Sequence, residues 1–150
     1  MKSHYFASFF FLVTLAIAIT LACGSPASHI APSCSSMPTV TNSGMPQSVT
    51  LCPAVADAQD YPNGQVQFTA IGAFQTAPSP ALVKTQIWGV CQDGSPTTAV
   101  TISIGGLAQC AAGSTGTYSI YAVGAPLPCD FVGLCGAGCQ VSGYAKLTCP

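Results

Sequence analysis

The chain has 150 residues, of which 49 % are hydrophobic and only 5 % are charged, whereas roughly a quarter of an ordinary soluble domain is charged. Three Lys and Arg residues against four Asp and Glu residues exclude both a cationic surface for nucleic acid and a charge block typical of a disordered chain. Nine cysteines in this length are typical of an exported protein with oxidised thiols.

The N-terminus has the pattern of a secretion signal. Lys2 supplies a positive charge, and an unbroken apolar run follows from Tyr5 to Ala22. We therefore expect residues 1–22 to be a signal peptide. An uncleaved membrane anchor is the alternative, because an apolar run of this length is just sufficient to span a bilayer.

The end of this signal resembles a bacterial lipobox, in which a small residue precedes a cysteine that is lipidated and becomes the new N-terminus. The sequence is Ile19-Thr20-Leu21-Ala22-Cys23, and Thr20 stands where the family prefers leucine. The resemblance implies a lipid on Cys23 and a chain anchored to a membrane. Ordinary signal peptidase cleavage after Gly24 is the alternative, and it predicts a freely secreted protein.

Residues 23–47 and 48–150 differ in composition and predict a tether followed by one domain. The first segment is rich in Ser, Pro, Thr and Ala and has too little apolar surface to fold by itself. The second consists of short β-rich runs separated by turns such as Asn63-Gly64, without a helical period. The predicted strands are Ser48–Cys52, Gln65–Ile71, Leu82–Cys91, Ala99–Ile104, Leu107–Cys110, Thr117–Val123 and Gly143–Cys149.

Short strands at this spacing predict an all-β fold, an antiparallel sandwich. Strict alternation in the second strand places Val66 and Phe68 on the core side and Gln, Thr side chains on the other. Trp88, the single tryptophan, lies on the third strand, where a sandwich usually buries it. The candidate core residues are therefore Val66, Phe68 and Trp88.

The order and spacing of the strands resemble a group 2 bacterial immunoglobulin-like domain, the type found in intimin and invasin. The resemblance runs from Ser48 to Cys149, and its strongest parts are the Gln67–Ala70 strand, Trp88 and the Gly116–Ile120 strand. It implies an immunoglobulin-like sandwich of about seven strands, with an adhesive or structural role at the cell surface. The cysteines and the insertion Pro126–Gln140 depart from the family.

Removal or lipidation of Cys23 leaves an even set of cysteines, which predicts four disulfides. The set is Cys34, Cys52, Cys91, Cys110, Cys129, Cys135, Cys139 and Cys149. We expect two local disulfides, Cys91–Cys110 and Cys129–Cys139. One cysteine from each end of the sandwich is expected to bond to Cys34 or Cys52. A zinc site at Cys129, Cys135 and Cys139 is the alternative, disfavoured because export oxidises thiols.

The chain offers few groups for catalysis, so we expect no catalytic residue, no cofactor and no metal. His29 lies in the predicted tether, where no scaffold holds it for a catalytic triad. Oxygen atoms of Asp57, Asp60 and Asn63 leave a weak calcium site open. A carbohydrate platform formed by Trp88, Tyr118 and Tyr121 competes with burial of these rings, and Tyr118 and Tyr121 are expected on opposite faces of their strand.

These observations predict a non-enzymatic, exported module, held at the cell envelope by lipid, with an unknown protein or glycan partner. A carbohydrate-binding module is one alternative. A secreted cysteine-rich surfactant that resembles a hydrophobin is another, suggested by the eight remaining cysteines and the low charge. Hydrophobins carry adjacent cysteine pairs, whereas no two cysteines are neighbours here.

Overall fold

The computed structural model describes residues 34, 36–84, 87–124, 135 and 141–150. The predicted signal peptide, residues 23–33 and 35 of the predicted tether, Cys129 and Cys139 lie outside these residues. Within the described ranges no helix is long and apolar enough to cross a membrane.

The described residues form β-strands with two short 3₁₀ turns, Ala58–Asp60 and Pro62–Gly64. In chain order the strands are β1 Thr41–Asn42, β2 Pro46–Cys52, β3 Val55–Asp57, β4 Gln65–Gln67, β5 Thr69–Phe74, β6 Ala81–Val83, β7 Ile87–Gln92, β8 Ser95–Pro96, β9 Val100–Ile102, β10 Leu107–Cys110, β11 Gly116–Val123 and β12 Ser142–Cys149. The predicted all-β class is confirmed.

The strands form two layers. One layer is the five-stranded sheet β3-β12-β11-β7-β8. The other layer is built around the chain from Gln65 to Phe74, which forms β4 and then β5. Strand β4 pairs with β10, and β10 pairs with β9. Strand β5 lies between β2 and β6. The orders β12-β11-β7 and β2-β5/β4-β10-β9 correspond to strands G-F-C and A-B-E-D of an immunoglobulin-type sandwich.

The core lies between the layers. Val66 and Phe68 from one layer and Ile120 and Leu147 from the other have at most 1 % of their surface exposed. Since β12 crosses β2 closely, a Cβ added to Gly143 would lie 2.7 Å from the Val49 carbonyl oxygen. Glycine at position 143 thus leaves room for β2 to pass close to β12.

Tyr118 also follows the pattern of this fold. Its ring is buried near the start of β11, and its hydroxyl donates a hydrogen bond to the Thr115 carbonyl oxygen at 3.0 Å. Immunoglobulin-type sandwiches have a tyrosine at this corner with the same backward hydrogen bond. This hydrogen bond satisfies the polar hydroxyl of the buried ring.

Several strand predictions differ from the structure, among them Gln65–Ile71, which is divided at Phe68 into β4 and β5. The ordered sheet begins inside the predicted tether, because Thr41–Asn42 pairs in parallel with β6 and Pro46 begins β2. The predicted strand Leu82–Cys91 is two strands in different layers, β6 beside β5 and β7 beside β11. The sandwich also has a parallel pair at one edge, β3 with β12.

Three disulfides join distant parts of the chain: Cys34–Cys52, Cys91–Cys135 and Cys110–Cys149. The predicted Cys91–Cys110 bridge is wrong, and so is the expectation that Cys34 and Cys52 bond to the ends of the sandwich. Val90 pairs across the sheet with the core residue Ile120, so Cys91 faces the outer side of its sheet. The predicted Cys129–Cys139 bridge lies outside the described residues.

Candidate binding cleft

A solvent-open cleft of about 450 Å³ lies where one layer changes its strand pairing. The β9-β10 hairpin ends at residues 103–106, and beyond Phe68 the strand β5 pairs with β6 instead of β10. The gap between that hairpin and the β1-β6 pair is the cleft. Its lining residues are Thr41, Phe68, Thr69, Ala70, Leu82, Val83, Lys84, Trp88, Ile104 and Gly105.

One wall of the cleft is a tightly bonded turn. The Gly106 amide donates to the Ser103 carbonyl oxygen at 2.9 Å, and the Phe68 amide donates to the Gly106 carbonyl oxygen at 2.9 Å. The Gln67 side-chain amide donates to the Gly105 carbonyl oxygen at 2.7 Å. These bonds hold Ile104 at the tip, where 92 % of its surface is exposed.

Trp88 reaches the cleft from the opposite layer. It pairs across β7 and β11 with Ala122, which is fully buried, so its side chain points between the layers. A Cβ added to Gly106, at φ +82°, would lie 2.8 Å from the indole and would also meet the Phe68 carbonyl oxygen. Trp88 therefore packs against the core, as expected, yet is only partly buried and lines the cleft.

The other wall is held by the segment that the sequence assigned to the tether. The Leu82 amide donates to the Val40 carbonyl oxygen at 2.8 Å. The buried Asn42 side chain donates to the carbonyl oxygens of Thr76 and Pro78 at 3.1 and 2.9 Å, and accepts from the Gly44 amide at 2.8 Å. These contacts fix β1 and, with it, Thr41 at the cleft.

The lining chemistry suits non-covalent binding. Apolar and aromatic side chains predominate, two threonines supply hydroxyls, and Lys84 is the one ionisable residue among those that line the cleft. A concave, mostly apolar site with a few polar groups is the usual form of a ligand pocket. General acid and base catalysis would require His or carboxylate groups held beside the ligand.

The structure separates the three aromatic residues that the sequence proposed as one platform. Trp88 and Tyr118 point between the layers, whereas Tyr121 lies on the outer face beside Tyr144. The expectation that Tyr118 and Tyr121 face opposite sides is correct, and a single platform of all three does not form.

The Asp57, Asp60 and Asn63 segment forms the two 3₁₀ turns. The Asp57 carboxylate accepts a hydrogen bond from the Gln59 amide at 3.0 Å and so caps the first turn. Burial, together with the neighbouring Asp60 charge, raises the pKa of Tyr61. The described residues contain no group of three His, Cys, Asp or Glu side chains arranged to hold a metal ion.

Sequence reasoning missed Ile104 and Thr41 as cleft residues. Ser103-Ile104-Gly105-Gly106 carries a clear turn signal, and an isoleucine at a turn tip is a detectable anomaly because turns favour Gly, Asn and Ser. Thr41 had no such signal. Its position depends on a parallel pairing between segments 41 residues apart along the chain, Thr41 and Leu82.

No protein-family model matches the sequence, and no curated protein matches it. The resemblance to group 2 bacterial immunoglobulin-like domains and the lipobox therefore remain predictions of the sequence.

Proposed function

We propose that this chain is an exported, non-enzymatic immunoglobulin-like module, held at the cell envelope by lipid on Cys23, that acts by binding a surface partner. The observation that carries the proposal is the cleft lined by Trp88, Phe68 and Ile104, whose walls are held by hydrogen bonds. Its residues suit adhesion to a protein or glycan better than chemistry, because reactive groups do not converge there.

The disulfides support export. Three bridges within a single domain persist in an oxidising compartment and are rare in the cytosol. They close chain segments of 18, 44 and 39 residues, and each closure stabilises a fold by roughly 3–4 kcal/mol through the chain entropy it removes. Such a module tolerates the conditions outside the cell.

The Cys34–Cys52 bridge also limits the proposed tether. It ties Cys34 to the end of β2, and the number of residues between Cys23 and Cys34 limits their separation to at most roughly 40 Å. With lipid on Cys23, the module stands close to the membrane that anchors it. This geometry favours contact with the envelope or with the adjoining surface of another cell.

The cleft is tested with two substitutions of equal chemistry. Ile104→Asp places a charge at the mouth of the cleft, whereas Met45→Asp places one at another exposed apolar residue, 63 % exposed, that does not line it. Both sites are exposed, so we expect both variants to fold. The measurement is saturable binding of labelled, oxidised full mature protein to envelopes from cells that lack it.

We expect Ile104→Asp to weaken this binding at least roughly tenfold, and Met45→Asp to change it less than about twofold, because burying an unpaired charge against apolar groups is costly. Emission from Trp88, the single tryptophan, should shift when the partner binds. Absence of saturable binding, or equal effects of the two variants, contradicts a function based on the cleft.

A further inference from the structure

The outer face of the β11-β12 pair has an unusual composition. β12 alternates along its whole length and β11 alternates from Thr117 to Ala122, and the residues between the buried ones point away from the core. We name this surface the tyrosine–hydroxyl strip. Its members are Thr117, Ser119 and Tyr121 on β11 and Tyr144, Lys146 and Thr148 on β12. Five of these six residues carry a hydroxyl group.

The strand register arranges the strip in three rows. Tyr121 lies opposite Tyr144, Ser119 opposite Lys146, and Thr117 opposite Thr148. The tyrosine ring centres are 6.1 Å apart with a tilt of 38°, and the two threonine hydroxyl oxygens are 3.4 Å apart. From Tyr144 to Thr148 the strip is roughly 13 Å long.

The strip is open, whereas the outer face of the neighbouring strand β7 is covered at Cys91. Cys91 on β7 faces the same side, but its exposed fraction is 2 % and it is bonded to Cys135, which is itself buried. Tyr144, in contrast, has 66 % of its surface exposed. The row formed by Tyr121 and Tyr144 is thus accessible to a partner.

We propose that the tyrosine–hydroxyl strip binds a chain of a neutral polysaccharide. Aromatic faces carry negative partial charge and pack against the positive C–H edges of a sugar ring. The rows of hydroxyls donate and accept hydrogen bonds, as sugar hydroxyls require. A strand pair offers these groups at regular spacing along a line, which matches an extended polymer.

Charge and polarity favour this occupant over two others. Lys146 is the one charged member of the strip, so an acidic polymer would find a single cation there. A second copy of the chain would need an apolar centre, because the buried middle of a protein interface is depleted of charge. The middle row here is Ser119 and Lys146. The strip lies on the outer face of its sheet, whereas Trp88 enters the cleft from the inner face of the same sheet, so the strip does not depend on the proposed function above.

The test is retention of the full mature, oxidised protein on cellulose, chitin and β-1,3-glucan, with alginate as the acidic probe. Tyr144→Ala removes an exposed ring, and Tyr144→Phe keeps the ring. Met45→Asp serves as the control, because Met45 is exposed just before β2 in the other layer and does not line the cleft. Lys146→Gln removes the charge of the strip.

We expect binding to at least one neutral polysaccharide, weakened roughly tenfold by Tyr144→Ala and less than about threefold by Tyr144→Phe, Lys146→Gln or Met45→Asp. Binding to none of the neutral polymers overturns the proposal. Binding to alginate alone, abolished by Lys146→Gln, also overturns it, as does wild-type affinity of Tyr144→Ala. A Tyr144→Ala effect confined to self-association, measured by sedimentation, would assign the strip to a second copy instead.

Discussion

Asn42 shows how much one side chain contributes to the wall of the cleft. Among the described residues it is the only polar one in the buried class, 8 % exposed. Its amide uses both its donor and acceptor groups, bonding two carbonyl oxygens in the 75–80 loop and the Gly44 amide. The sequence places it in a Thr-Asn-Ser-Gly run that has the composition of a linker, so its burial was not predictable from local pattern.

We predict that Asn42→Ala lowers the free energy of unfolding by about 1–3 kcal/mol, because it leaves buried backbone groups without partners. Thr50→Ala is the control, since it removes an exposed hydroxyl that donates to the Ile71 carbonyl oxygen; we expect a change within about 0.5 kcal/mol. Urea denaturation measures both. Equal stability of Asn42→Ala and wild type would show that β1 is not held by this side chain.

At the scale of elements, the alternation of side chains predicted more than the strand boundaries. Val66, Phe68 and the β10, β11 and β12 strands lie close to their predicted positions, because period-two patterning directly reflects which side is buried. Trp88 and Val90 both face the core, so the same alternation places Cys91, the next residue, on the outer face of its sheet. This placement excludes a disulfide between Cys91 and Cys110. The break at Phe68 depends on tertiary pairing and has no local signal.

Two dipeptides of the sequence, Asn-Gly and Asp-Gly, mark tight turns. Asn63-Gly64 forms the predicted turn, and both residues have the positive φ angles, 58° and 65°, of a tight turn. Asp93-Gly94 carries an equally strong signal and forms the two-residue turn of the β7-β8 hairpin, with φ angles of 49° and 76°. A short edge strand was thus predictable from that dipeptide.

Gly106 lies in the turn that forms one wall of the cleft, and its conformation predicts the effect of a substitution there. Its φ of +82° disfavours any L side chain, and a Cβ would also meet the Trp88 ring and the Phe68 carbonyl oxygen. Gly113 is a matched control, because its φ is +78° and a Cβ there would meet nothing within 4 Å.

We expect Gly113→Ala to cost about 1–2 kcal/mol of unfolding free energy from backbone conformation alone, and Gly106→Ala to cost at least about 1 kcal/mol more. Gly106→Ala should also shift Trp88 emission in the folded state. Urea denaturation followed by tryptophan fluorescence measures both effects. Equal losses for the two alanine variants would mean that the turn does not press against Trp88.

At the scale of the whole molecule, the low charge and the many cysteines both follow from a small sandwich with a polar surface and a disulfide-stabilised core. The outer faces of the strands carry mainly Gln, Thr, Ser and Tyr, with Lys146 as a charged exception, so the described surface has few charges while the core is apolar. The bridges replace stability that a larger core would give, and Cys110–Cys149 joins the two layers directly. Composition predicted the oxidised, all-β class; the connectivity required the faces of individual strands.

The intact mass of the mature protein isolated from its cell envelope, before and after reduction, tests the central claim most directly. We predict a chain that begins at an acylated Cys23, shows no free thiol, and gains about eight hydrogens on reduction. An unacylated chain recovered from the medium, or free thiols in the native protein, would contradict an oxidised module anchored at the envelope.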